Sequence, residues 1–383
     1  MIKRFILAVF AVLTVLVMPV SCSAYDDTYP DGGQILNDLG GNSLKEGLPD
    51  DAADFMDEHE LSPENIGKEI NITPDKILRY IGDMFVSELK KLPSLAARLT
   101  AAVIVCSMSS SVTEGAAEKT TSKLFGTITA AVCMIISVPE VTDCMDHAFS
   151  TLEEGGNFMM CYAPVYAAVS AAGGGIVSSS AYSIAVICSA EISVQLVKSV
   201  FYPLISIMLA LGVAEGISGE FRMSGFTSLI KKVVSFGTIL VMTVFTALIS
   251  LQSFAGTSAD TVTAKAVKLA ASNLIPIVGG AVSDAYGTVK ASFGVLRSGV
   301  GIFGIIAVCV IIIPPLLRIA AYRLIFMIAG AAASAVDCGA MKAFLSCADD
   351  VLSMIFSLLM SFSVMFIVST AVVLSAGMTL AGG

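Results

Sequence analysis

Charged side chains set inside apolar runs are where this sequence could do chemistry. Glu191 follows fifteen uncharged residues that begin at Ile176, and Lys198 comes seven residues later. A carboxyl at membrane depth must stay protonated, pair with a base such as Arg98 or Arg318, or line water. Arg318 and Arg323 sit about a turn apart, directly after an uncharged run of nineteen residues from Gly299 to Leu317. A charge at the centre of a membrane helix costs about 2.5–3.5 kcal/mol on insertion scales, so both arginines should face a protein interior or reach an interface. Arg98 lies near the outer end of an apolar stretch, placed to snorkel. Two uses stay open for Glu191: pairing within a helix bundle, or a place on an ion or solute path.

The groupings that enzymes use are missing. The one Gly-Lys pair, Gly67-Lys68, is followed by Glu69 and lacks the upstream glycine of a nucleotide-binding loop. His59-Glu60 runs into Leu61-Ser62-Pro63, so no second histidine completes a zinc-protease pair. No Gly-x-Ser-x-Gly elbow has a histidine and an acid placed to serve it. We expect no enzyme activity, no cofactor and no metal site.

Composition points to the bilayer. Of 383 residues, 56% are hydrophobic and 14% charged, against about 25% charged in a typical soluble domain. The net charge of −9 is concentrated near the front. Residues 25–92 hold 16 Asp and Glu against 6 Lys and Arg, a net of 6 − 16 = −10, which leaves the remainder close to neutral. A basic nucleic-acid surface is therefore excluded. Among nine cysteines none forms Cys-x-x-Cys. Cys106, Cys133, Cys161, Cys188 and Cys309 lie in apolar runs as small hydrophobes. Cys144, Cys338 and Cys347 lie in expected connectors, where a disulfide could form on an oxidising side.

These features divide the chain. Residues 1–24 have the build of a secretory signal: Lys3 and Arg4, an apolar centre, then Cys22-Ser23-Ala24, with cleavage expected between Ala24 and Tyr25. A retained anchor and lipidation at Cys22 are the rival readings, and Pro19 fits a lipobox poorly. Residues 25–92 form an acidic, extracytoplasmic helical segment. In it Ser62-Pro63-Glu64 and Thr73-Pro74-Asp75 are helix starts, and Ile77, Ile81, Phe85 and Leu89 form an apolar stripe. That segment is either a solvated helical domain or a docking surface for another extracytoplasmic protein. Residues 93–140 read as a membrane hairpin. Residues 141–156 read as an outer loop without Lys or Arg, lying along the membrane surface on Val141, Met145, Phe149 and Leu152.

Residues 157–253 and 254–383 then look like one four-helix unit stated twice. Asn157 and Asn273 open each half, and Phe226, Leu229, Ile230 and Val233 match Met341, Phe344, Leu345 and Ala348 at an offset of 115. Spans are expected near 176–197, 201–216, 234–253, 299–317, 319–336 and 351–377. Pro164, Pro203, Pro276, Pro314 and Pro315 mark breaks or bends, and Gly212 and Gly216 a close-packing face. Lys231 and Lys232 mark a cytoplasmic loop. Whether 273–291 crosses, and so on which side the chain ends, stays open. The fold class is all-α: a polytopic helical membrane protein with about nine or ten mature spans.

The layout resembles the stage III sporulation protein AE family of endospore-forming bacteria across almost the whole chain. The local likenesses are Glu88-Leu89-Lys90-Lys91-Leu92-Pro93 entering the first span, and Val300-Gly301-Ile302 leading to the proline-ended run and Tyr322-Arg323. The resemblance implies a membrane subunit of the channel joining mother cell and forespore, in the mother-cell membrane facing the forespore. The implied partners are a secretion-type ATPase, ring-forming membrane proteins and a forespore channel protein. It brings no catalytic residues. The contrasting function is a self-sufficient secondary transporter with an ion or solute site near Glu191.

Overall fold

Long apolar runs give a chain of long helices. The computed structural model describes residues 32–58, 61–62, 74–116, 119–218, 224–274, 279–335 and 339–381. The expected signal with its Ala24–Tyr25 cleavage point, Pro276 and Cys338 lie outside the described residues. Among the described residues every regular element is helical. Three short helices come first, α1 (Gly32–Asp38), α2 (Gly41–Glu46) and α3 (Asp50–Glu58). Then follow α4 (Pro74–Lys91), α5 (Pro93–Ala116), α6 (Lys119–Ala172) and α7 (Ile176–Leu196). A π turn at Val197–Phe201 leads to α8 (Tyr202–Ser218), α9 (Ser224–Leu274), α10 (Gly279–Ala335) and α11 (Gly339–Ala381).

The multi-span helical architecture is what the structure shows, with one change in how the spans are joined. Four stretches among the described residues are long and apolar enough to cross a bilayer: Ile176–Ile217, Gly225–Gln252, Ser292–Ala335 and Met341–Ala371. The first is 42 residues and the third 44. A crossing needs only about 20 residues for roughly 30 Å of hydrocarbon, so each covers two of the expected spans in one rod. The prolines do not end their helices. Pro139 and Pro164 lie inside α6, and Pro314 and Pro315 inside α10. At Pro203 the ladder widens instead: the Tyr202 N–H donates to Val197 O, five residues back. A proline cannot donate to the carbonyl four residues before it and crowds that carbonyl, which a π turn accommodates without stopping the helix.

The long helices pack antiparallel. Along α6 and α10 the contacts step in register, from Tyr322 on Glu140, through Arg318 on Asp143, to Arg297 on Tyr166. Helix α11 returns along α10, with Arg323 on Asp349, and α9 returns along α7, with Asp260 on Ser178. Two expectations change. Val141, Met145, Phe149 and Leu152, expected to lie along the membrane surface, are buried in the middle of α6, their stripe facing protein. The two matched amphipathic stretches have different surroundings: Phe226, Leu229 and Val233 are exposed and only Ile230 is buried, while Met341, Phe344, Leu345 and Ala348 are all buried. The halves also differ at their first joint. Gly173-Gly174-Gly175 turns the chain, Gly174 at φ +93°, whereas α10 runs unbroken through the corresponding region. Only glycine enters that left-handed region readily, and no glycine run stands there in the second half.

The front helices dock on the bundle. Leu36, Leu44, Leu48, Ala52 and Met56 are buried, and α2 and α3 pack on α6 and α10 respectively. At Gly47 a Cβ would stand 2.9 Å from Cys161 Cβ, so only glycine allows that approach. Asp50, Asp51, Asp54 and Asp57 stay exposed on the other face of α3. That split follows from an apolar stripe at helical spacing with acids between.

Candidate functional site

A polar seam crosses the middle of the bundle, and its residues come from sequence positions far apart. On α6 the acids Glu140, Asp143, Asp146 and Glu153 project along neighbouring helical faces, as a spacing of three and seven residues requires. Each meets a partner. Tyr322 donates to Glu140 Oε2 at 3.1 Å and Arg318 Nη2 to Asp143 Oδ2 at 2.6 Å. Tyr202 donates to Asp146 Oδ1 at 2.8 Å, and Lys198 pairs with Glu153. One turn of α10 therefore serves α6 through Arg318 and Tyr322, then serves α11 through Arg323, whose Nε is 3.0 Å from Asp349 Oδ1. The neighbouring Asp350 pairs with Lys231 of α9. The Arg318 guanidinium also lies 5.9 Å from the Tyr322 ring centre.

This seam explains the two arginines that the sequence singled out. Neither is left alone in an apolar run, and neither meets Glu191. Glu191 is exposed on α7, and Arg98 is exposed on α5, 3.5 Å from Ser94 Oγ. The seam also brings Lys231 onto the level of Asp143. Arg318 and Arg323 are five residues apart, about 7.5 Å along a helix, so a hydrocarbon layer of about 30 Å cannot lie between their partners. The sequence reading put the 141–156 segment outside and Lys231 inside; the ion pairs hold the two at nearly the same level of the bundle. Local charge counting cannot see that a lysine is neutralised by an acid 119 positions on, Asp350.

Cys144 lies within this seam, buried. Burial pushes its thiol up to about 12, with Arg318 pulling the other way. Cys144 and Cys347 are both free thiols inside helices, so no disulfide joins them. Cys347 Sγ donates instead to Met208 O at 3.4 Å. The same contact defines the glycine face of α8: a Cβ on Gly212 would stand 2.8 Å from Cys347 Cβ, and one on Gly216 would strike the end of Met134 and come 3.3 Å from Phe344 Cβ.

A second polar group lies deeper. Tyr162, Tyr166 and Tyr182 are buried, with Tyr162 stacked on Tyr166 at 5.7 Å and Tyr166 edge-on to Tyr182 at 5.3 Å. Arg297, itself buried, donates from Nε to Tyr166 Oη at 3.1 Å and lies 5.7 Å from that ring centre. Beside it the start of α7 is capped by another helix. Asp260 of α9 accepts from Val177 N at 2.9 Å, Ser178 N at 3.0 Å and Ser178 Oγ at 2.5 Å. A carboxylate there answers the unpaired N–H groups and positive end of the helix. Sequence reasoning missed Asp260, Asp349 and Asp350 as partners, because their roles are set by residues on other helices. Among the described residues no group of His, Cys, Asp and Glu could hold a metal ion.

Residues 57–377 match the family model described as stage III sporulation protein AE. The chain is also similar to a curated protein of that name from Bacillus subtilis (strain 168), 22% identical over 314 residues, which cover 82% of this chain and 79% of the relative. No solved structure matches.

Proposed function

The chain belongs to the stage III sporulation protein AE family, and on that premise we propose that it is a non-enzymatic membrane subunit of a mother-cell-to-forespore channel, acting as gate or export platform. It would sit in the mother-cell membrane facing the forespore, its leader removed after export. A secretion-type ATPase, ring-forming membrane proteins and a forespore channel protein would be its partners. The observation that carries the reading is the turn of α10 at Arg318–Arg323, which ties α6 and α11 together through ion pairs. Such a joint transmits a movement of one helix to its neighbours, as a scaffold or gate needs. The acidic outer face of α3 (Asp50, Asp51, Asp54, Asp57) would meet partners between the two membranes.

The test is genetic and biochemical together. Deleting the gene should stop spore formation after engulfment and abolish late forespore gene expression. The tagged protein should co-purify with an ATPase and ring proteins, and lose them when residues 25–92 are removed. Normal spores from the deletion strain would end this reading. A self-sufficient transporter near Glu191 predicts solute uptake by the reconstituted chain alone, abolished in Glu191→Gln.

A further inference from the structure

Three hydroxyl and phenol groups in the deeper cluster lack any partner within the protein. Tyr162 Oη, Tyr182 Oη and Ser170 Oγ are buried and make no hydrogen bond to another residue. They are not scattered. Tyr162, Tyr166 and Ser170 recur every four residues on α6 and so share one stripe. Tyr182 of α7 meets Tyr166 from the side, and Arg297 of α10 binds Tyr166 Oη. Ser369 and Thr370 of α11 stand next to the phenols of Tyr182 and Tyr162 but outside hydrogen-bond geometry, and their own hydroxyls donate to Phe366 O at 2.8 and 3.1 Å. Below Tyr162 the stripe turns apolar, with Phe158 stacked on it at 5.8 Å.

Buried polar atoms in native proteins are almost always hydrogen-bonded, to protein or to ordered water. An internal water is held where a site offers two to four polar partners, and genuinely empty cavities are apolar. Here such groups belong to one connected cluster, Tyr162, Tyr166 and Tyr182 in ring contact and Ser170 a turn beyond Tyr166, with the Arg297 guanidinium beside them. Three on one connected cluster point to a shared occupant.

We propose that Tyr162, Tyr166, Ser170, Tyr182 and Arg297 line an internal water site, a short hydrated file within the apolar bundle that ends at Phe158. Water there satisfies the two phenols and the Ser170 hydroxyl and lowers the cost of keeping Arg297 away from solvent. The file lies beside the capped start of α7, so hydration and the seating of that helix on Asp260 are neighbours in space.

X-ray hydroxyl-radical footprinting of the full-length protein in lipid nanodiscs, in 18O-labelled water, tests it. Radicals form on the waters present, so a side chain touching internal water is oxidised although bulk solvent cannot reach it. After correction for intrinsic reactivity, Tyr162 and Tyr182 should take up label several-fold faster than the equally buried Phe158. Rates no higher than that of Phe158 would overturn the proposal. In Tyr182→Phe, labelling at Tyr162 should slow several-fold, and an unchanged rate would likewise overturn a shared file. If that variant does not fold, Ser170→Ala takes its place with the same reading at Tyr162.

Discussion

Arg318 on α10 and Asp143 on α6 stand 2.6 Å apart although 175 positions separate them in the chain. Five residues further along α10, Arg323 turns to the opposite neighbour and binds Asp349. One helix therefore carries two cations that serve two partners, and this arrangement makes the seam a joint between helices.

The two pairs should differ in strength. Arg318 and Asp143 are 28% and 67% exposed, whereas Arg323 and Asp349 are 13% and 21% exposed. Exposed ion pairs are worth about 0–1 kcal/mol, while removing one partner of a buried pair costs about 3–5 kcal/mol. Thermal unfolding in detergent should show Arg318→Gln nearly neutral and Arg323→Gln clearly destabilised, by about 1–3 kcal/mol for its intermediate burial. Equal losses would contradict the difference in burial.

Helix α7 should loosen when its borrowed cap is removed. Asp260→Ala deletes all three hydrogen bonds and should cost about 1–2 kcal/mol, the usual scale for a lost cap. Asp260→Asn keeps an acceptor and should cost less. Amide exchange at Val177 and Ser178 should rise in both, and most in Asp260→Ala.

Helix approach at the glycine face can be checked against an open glycine. Gly212→Ala forces a methyl group onto Cys347 and should destabilise by about 1–3 kcal/mol, as overpacking does. Gly225→Ala meets nothing within 4 Å, so it should be neutral or stabilising by up to about 1 kcal/mol. Unfolding midpoints of the two variants settle the point.

Cys144 gives the molecule a pH-dependent term. Its folded thiol titrates near 12 rather than at the ordinary 9.0, so below pH 9 folded and unfolded chains both carry a neutral thiol and the full stability is present. Between 9 and 12 only the unfolded chain ionises, and stability falls as pH rises. Denaturation curves taken from pH 8 to 10 should slope downward, and Cys144→Ala should make that slope shallower, the other buried cysteines keeping the rest.

Sidedness follows from the seam. Single cysteines at Asp146 and Lys232, in a background without native cysteines, should react with an impermeant thiol reagent from the same side of the membrane. Labelling from opposite sides would show that the ion pairs of the seam do not form in the bilayer.

The helical, multi-span character is legible in the sequence, because apolar runs such as Gly299–Leu317 and the shortage of charge are local properties that a bilayer reads directly. Arg318 and Arg323 were also recognisable as groups that must be satisfied. Their partners were not. Asp143 and Asp349 look like ordinary connector acids, Asp260 shows no motif, and Glu191, the most conspicuous charge in the sequence, ends up exposed on α7. The joints were likewise hidden, since a proline removes one donor but cannot say whether the surrounding packing lets the helix continue, as it does through Pro314 and Pro315. Local composition determines which segments become helices and that they prefer lipid. Which acid meets which base, and which tyrosines close around Arg297, depends on the register between distant helices, and that register exists only once the bundle is packed.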